Sequence, residues 1–197
     1  MIARLLVLFA LASQMMPAES FTWWVQPCND TRCTVADEQL VKWALAAWER
    51  ASAGNLRLEP APESRARIRI YWVSVREGLY GETRGVARDA VHGADVYVRP
   101  TLEGLGPEIG SKAEKDTLFR DTIVYLTALH ELGHALGLPH TSGFDDIMYN
   151  FGYGGDILEY FARYRRKLSG RDSIGSVSGL SDEDTRRLRI ICKKSEN

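Results

Sequence analysis

Cysteine is scarce in this chain: three residues in 197, an odd number. That excludes a fold built on disulfides, and a chain of this length can bury a core without them. Charge of one sign is missing too. Twenty-five Lys and Arg meet 26 Asp and Glu, for a net charge of −1. No field of either sign draws a nucleic acid or an anionic membrane surface, so neither partner is expected. No apolar run reaches the ~20 residues that cross a bilayer as a helix. Internal repeats and low-complexity tracts are absent. The remainder, 45% hydrophobic and 26% charged, is an ordinary globular composition and excludes disordered and collagen-like chains. The length fits one domain.

The first twenty residues read as an address. Arg4 precedes the apolar run Leu5 to Ala12, and Pro17-Ala18-Glu19-Ser20 follows with small residues at Ala18 and Ser20. This is the layout of a secretory signal cleaved before Phe21; a buried N-terminal helix or an uncleaved anchor are the alternatives. The expected division is signal 1–20 and one domain over 21–197. The product would be secreted or periplasmic, monomeric, and without stable membrane association once the signal is gone. Export permits a disulfide. Cys28 and Cys33 flank a turn-like stretch and are favoured partners; tying one of them to Cys192, across about 160 residues, stays open.

Hydrophobic spacing gives the elements. Phe21 to Val25 reads as a strand. Thr34 or Asp37 can cap a helix to Ser52, with Leu40, Ala44, Trp48 and Ala51 on one face. Leu56 and Leu58 suggest a short strand, and Ala66 to Val75 a longer one whose Arg65, Arg67 and Arg69 form a solvated basic edge face. Arg84 to Asp89 and Ala94 to Arg99 read as strands joined by a turn at His92-Gly93. Leu102 to Lys115, with three glycines and a proline, reads as a loop. A long helix is expected from Asp116 to Leu136. Another is expected from Asp156 to Leu168, its Arg163, Arg165, Arg166 and Lys167 solvated. A last one follows the capping Ser181, with acids in its first turn and bases toward its end.

One stretch carries chemistry: His130-Glu131-Leu132-Gly133-His134-Ala135-Leu136-Gly137-Leu138-Pro139-His140. On a helix, positions 130 and 134 are about 40° apart and one turn along, so both imidazoles face one side. Two neutral imidazoles so placed can share a Zn²⁺. Glu131 sits beside them, about 100° from His130, where a carboxylate can take a proton from water on the metal. Gly137 lets the helix stop in a left-handed turn and Pro139 prevents its continuation, so His140 can swing back as third ligand. Three histidines leave a fourth position open, the mark of a catalytic zinc. Three of the chain's four histidines lie in these eleven residues. The full pattern would arise in on the order of 10⁻⁵ shuffled chains, against roughly 0.5% for His-Glu-x-x-His alone. His92 is expected to be a turn residue.

The stretch resembles the signature of the metzincin metallopeptidases, His-Glu-x-x-His-x-x-Gly-x-x-His followed by a methionine turn. It is most similar to the matrixins. Thr141 follows the third histidine, and Met148 stands eight residues on, in Asp146-Ile147-Met148-Tyr149. The resemblance implies an α+β fold: a twisted, mostly parallel mixed sheet of about five strands, three main helices, an active-site helix, a methionine turn and a C-terminal helix. It implies one catalytic zinc on His130, His134 and His140, Glu131 as general base, and Gly137 and Met148 as supports. Substrate would lie along the strand near Gly85, Val86 and Ala87, with Tyr149 and Tyr153 at its pocket. Several features depart from the family. Only His92 is available for the family's second, structural zinc, so that site is left open. Asn150 stands where the family has proline. No inhibitory propeptide is expected between signal and Phe21. Calcium on Asp145, Asp146 or Asp156 is possible but not placed.

The activity expected is that of a secreted zinc endopeptidase acting on extended protein or peptide segments. Two other classes compete: a secreted zinc- or peptide-binding module without turnover, and a zinc hydrolase of non-peptide amides. Glu131, needed for turnover and not for binding, favours the first.

Overall fold

The computed structural model describes residues 18–29, 33–74, 80–88 and 91–194. The expected signal peptide therefore lies almost wholly outside the described residues. Five strands form one sheet in the order β2-β1-β3-β5-β4. They are β1 (Glu19–Val25), β2 (Leu56–Pro60), β3 (Ile68–Trp72), β4 (Gly81–Arg88) and β5 (Val91–Val98). All neighbours pair parallel except β4, which runs antiparallel along β5 from Gly81↔Val98 to Arg88↔Val91. β1 begins two residues before the expected Phe21, since Glu19 and Ser20 pair with Leu56 and Arg57.

Five helices are described, four where the spacing predicts one and α2 in addition: α1 (Val35–Ala51), α2 (Pro107–Lys115), α3 (Thr117–Ala135), α4 (Ile157–Arg165) and α5 (Asp182–Lys194). α1 starts where Asp37 accepts from both the N–H and the hydroxyl of Thr34, at 2.7 and 3.0 Å. Its apolar face buries Leu40, Val41, Ala44, Leu45 and Trp48. The Trp48 indole donates to the Leu129 carbonyl of α3 at 2.9 Å. Against these pack Ile68, Ile70, Trp72, Val96 and Val98 from the strands. Each such side chain contributes roughly 1.5–3 kcal/mol by leaving water. α3 is buried nearly all round, so polar Thr122, Thr127 and Glu131 are carried into the interior.

Four expectations need correction. His92-Gly93 is not a turn: both lie inside β5, opposite Ala87 and Val86. A Cβ on Gly93 would stand 2.3 Å from the Arg67 carbonyl, so the glycine serves a close approach of strands. β3 lies between β1 and β5 and is no edge. Arg67, just before β3, is partly buried, donating to the His92 and Ser20 carbonyls and covering the Phe21 ring. The 102–115 segment is not all loop. Gly106 adopts φ +95°, Pro107 opens α2, and Glu108 and Lys112 suit its two ends. Of the basic residues expected to be solvated, Arg166 and Lys167 are exposed, whereas Arg163 and Arg165 are employed. Arg163 lies over the Tyr160 ring at 4.3 Å, and Arg165 binds the Asp116 carboxylate that caps α3. Cys28 and Cys33 form the disulfide, and Cys192 is buried in α5, apart from it.

Candidate metal centre and active site

α3 ends as glycine chemistry requires. Gly137 has φ +91°, its N–H bonds the His134 carbonyl, and the Leu138 N–H bonds the Gly133 carbonyl, both at 2.9 Å. This left-handed cap reverses the chain. Beyond Pro139, Thr141 is held to the returning segment by Thr141 N–H to Met148 O at 2.8 Å and Asn150 N–H to Thr141 O at 3.0 Å. His140 is thereby fixed facing α3.

The Nε2 atom of His140 lies 3.3 Å from that of His130 and 3.1 Å from that of His134. The opposite nitrogens are occupied: Nδ1 of His130 donates to the Ile147 carbonyl at 2.6 Å and Nδ1 of His134 to the Leu138 carbonyl at 2.8 Å. Neutral rings so held turn unprotonated Nε2 lone pairs toward one point. Burial pushes His130 down to about 4, and lowers His134 as well, which favours those neutral rings. Converging lone pairs repel unless a cation sits among them. Tetrahedral zinc with bonds of ~2.0–2.1 Å spaces its ligand atoms about 3.3–3.4 Å apart, close to the two separations from His140. The donor set fits one zinc. Among the described residues these three are the grouping able to hold a metal. The carboxylates considered for calcium have other work. Asp145 pairs with Arg163, Asp146 accepts from the Ser181 hydroxyl, and Asp156 caps α4.

Glu131 is 7% exposed, and Oε2 accepts from the Thr83 hydroxyl at 2.8 Å. Burial raises its pKa to about 7, opposed by the Thr83 bond and aided by Glu82. Under the histidines lies Met148, fully buried. A Cβ on Gly133 would come 2.3 Å from the Met148 sulfur and 3.0 Å from the Trp48 ring, so this glycine lets the helix rest on that floor.

The floor is held from α5. Ser181 and Asp184 form a reciprocal capping box: the Ser181 N–H bonds Asp184 Oδ2, and the Asp184 N–H bonds Ser181 Oγ. The same carboxylate accepts from the Ile147 N–H at 2.7 Å and the Met148 N–H at 3.3 Å. Ile147 is the residue whose carbonyl orients His130. The Tyr160 hydroxyl reaches the Asp146 and Ile147 carbonyls from α4.

A cavity of about 500 Å³ opens beside the three histidines and Glu131. Gly81 to Thr83 of β4 form one lip; Leu126, Tyr149, Phe151, Ile157 and Phe161 give an apolar, aromatic wall, reaching as far as Leu105. The sequence-derived candidates divide accordingly. His130, Glu131, His134, His140, Gly137, Met148 and Tyr149 come together. Gly85, Val86 and Ala87 lie further along β4, outside the cavity, where the pleat and the crossing of α3 bring residues 81–83 to it instead. Tyr153 is 68% exposed and lies off the cavity; Phe151 takes the wall position. Tyr160, which the sequence places in the insertion shaping the pocket, does line the cavity, whereas Thr83, Gly81, Gly133 and Asp184 have no assigned role in the sequence. Only Gly133, between two histidines of one motif, and the Ser181–Asp184 capping pattern left a signal there.

The sequence pattern of the matrixin family matches residues 16–156. Among curated relatives, interstitial collagenase of Sus scrofa is 44% identical over 59 residues, covering 26% of this chain and 13% of that protein. Macrophage metalloelastase of Oryctolagus cuniculus is 29% identical over 123 residues, covering 59% of this chain and 24% of that protein. The chain thus matches less than a quarter of either relative's length. A crystal structure of archaemetzincin from Methanopyrus kandleri aligns over 92% of this chain and 99% of that one, with 15% identity and a TM-score of 0.46. With the family pattern covering most of its length, this chain belongs to the matrixins, a family of metzincin zinc metallopeptidases.

Proposed function

We propose that the chain is a secreted zinc endopeptidase that cleaves extended protein or peptide segments, with Glu131 as general base. The observation that carries this reading is the convergence of three imidazole lone pairs beside one buried carboxylate, at the mouth of an apolar cavity. His130, His134 and His140 would hold the zinc, which supplies Lewis acidity toward water and a peptide carbonyl. Glu131 takes the proton of the attacking water at its carboxylate and returns it to the leaving nitrogen. Burial raises the Glu131 carboxyl above its ordinary value, which suits a group that must both take and return a proton. β4 is an edge strand, so an extended substrate can add to it through main-chain hydrogen bonds. The aromatic wall then accepts a large apolar side chain on the leaving side of the cut. A pure binding module has no use for a buried, desolvated carboxylate at this place, which favours turnover.

Residues 1–20 are proposed as the export signal and 21–197 as the catalytic domain. Three β1–β2 pairs, from Phe21↔Leu58 to Trp23↔Pro60, survive that cut. N-terminal sequencing of exported protein checks it. Digestion of a peptide library by zinc-loaded protein, with product sequencing, tests the activity. Internal cuts before large apolar residues are expected; no cuts, or release of terminal residues alone, would reject the reading.

A further inference from the structure

Gly81 and Thr83 stand two residues apart on β4, on the face turned to α3, and both touch Glu131. A Cβ on Gly81 would fall 2.7 Å from Glu131 Oε1, 2.8 Å from its Cγ and 2.8 Å from Thr127 Cγ2. The strand comes this near only because it carries no side chain there. Two residues on, the Thr83 hydroxyl lies 2.8 Å from Glu131 Oε2 and 2.8 Å from the Glu131 carbonyl oxygen. One hydroxyl proton serves two acceptors, and an ionised carboxylate is the stronger of them. Thr83 thus ties the end of a side chain with three rotatable bonds to the root of the same residue. One carboxylate oxygen is bonded and the other is packed on bare backbone. A metallopeptidase needs β4 as a substrate edge. It does not need a threonine and a glycine at these two positions of that strand.

We infer that Gly81-x-Thr83 is a clamp that sets the Glu131 carboxylate for proton transfer, with Thr83 as a positioning residue. β4 then has two duties: its outer backbone edge takes the substrate, and its inward side chains hold the base. The inference rests on the peptidase reading above. It predicts a loss confined to turnover, because Thr83 acts on Glu131 and not on the metal or the apolar wall.

The test is Thr83→Val, which keeps the shape and removes the hydroxyl. Expected are a kcat reduced by about 10–100-fold, the loss of one hydrogen bond to a charged group, and a KM within about 2-fold. Zinc content and melting temperature should match the parent. Thr83→Ser should recover most of the lost kcat. In a Glu131→Ala background, Thr83→Val should cost nothing further, since the group it positions is gone. Gly81→Ala should also lower kcat, by displacing the carboxylate. An unchanged kcat in Thr83→Val overturns the clamp. So does an equal loss with Glu131 present and absent, which would mean a purely structural effect. If Glu131→Ala itself keeps parental activity, the peptidase reading fails instead, and the two failures are told apart.

Discussion

The two halves of the site are built on different principles. Residues 117–135 form a buried helix packed against α1 and against β4 and β5, held by many interchangeable apolar contacts and a continuous backbone ladder. Residues 140–181 contain short turns, and their geometry depends on single hydrogen bonds. These include Asp184 to the Ile147 and Met148 N–H groups, Tyr160 to two carbonyls, Ser181 to Asp146, and the lone bridge between Thr141 and Tyr149. Two proposed ligands and the base sit on the first half. The third ligand, His140, and the carbonyl that orients His130 sit on the second. Redundant packing fixes the position of α3, whereas specific polar bonds fix how the ligands converge on it. Losses in the two halves should therefore differ in kind: stability on one side, metal geometry on the other.

The sharpest test lies within the motif. Glu131→Ala should leave zinc near one per chain and lower the rate by ~10²–10⁴, the range of a positioned general base, or roughly 3–5.5 kcal/mol of barrier. His134→Ala should lose metal as well as rate. Metal analysis beside kinetics checks the pair, and a fast Glu131→Ala enzyme would break the mechanism.

Next come the supports. Leu40→Ala in the α1 core should cost about 2–5 kcal/mol of stability, yet the fraction still folded should bind zinc as the parent does. Asp184→Ala strips acceptors from the buried N–H groups of Ile147 and Met148, at about 1–3 kcal/mol for each donor left bare. It should weaken zinc binding out of proportion to its effect on the melt. Urea melts and zinc competition titrations on both variants separate the halves. Equal zinc affinity in both would erase the distinction.

A smaller effect concerns the pocket. Phe161→Ala and Ile157→Ala enlarge the cavity from α4 without touching the histidines or Glu131. The preferred residue on the leaving side should shift to a larger one, by about 10-fold or more in kcat/KM per methylene-sized change, with zinc unchanged. An unchanged preference in a peptide library would move the specificity wall to the 101–106 loop.

The same division explains what could be read in advance. α1, α3 and α5 were legible because their apolar spacing and capping residues are local patterns, and the three histidines, Glu131 and Gly137 because ligand spacing is fixed by helix geometry. α2 was hidden because Gly106, Gly110 and Pro107 read as breakers, although Gly106 and Pro107 only start the helix. His92-Gly93 looked like a turn, since the contact that demands Gly93 comes from Arg67, some 25 residues away in sequence. Thr83, and Asp184 beyond its capping pair with Ser181, were illegible for a related reason. Their partners are 48 and 37 residues distant, and nothing in a neighbouring residue announces such a bond.

The smallest expected effect is a slope with pH, and it belongs to the polar half. Burial is the main cause that raises the Asp184 pKa above the usual 3.8; nearby Asp146 adds to it, while the Ile147 and Ser181 donors oppose it. A carboxyl with a raised folded-state pKa binds its proton more tightly folded than unfolded. Its pH-linked contribution is therefore fully present below about 3.8 and is lost as pH rises through the raised value. Acid denaturation by other carboxylates runs the opposite way, so the parent's total curve is a poor readout and the difference from a variant is needed. Asp184→Asn removes the titration while keeping one oxygen acceptor. Measured by urea melts from pH 4 upward, the parent should lose stability relative to Asp184→Asn as pH rises, and the gap should level off once Asp184 is ionised. Asp146→Asn should make that relative loss shallower by removing one repelling charge. A parent that gains on Asp184→Asn across this window would mean that the donors from Ile147, Met148 and Ser181 outweigh burial, and that the turn is locked most firmly when Asp184 is charged.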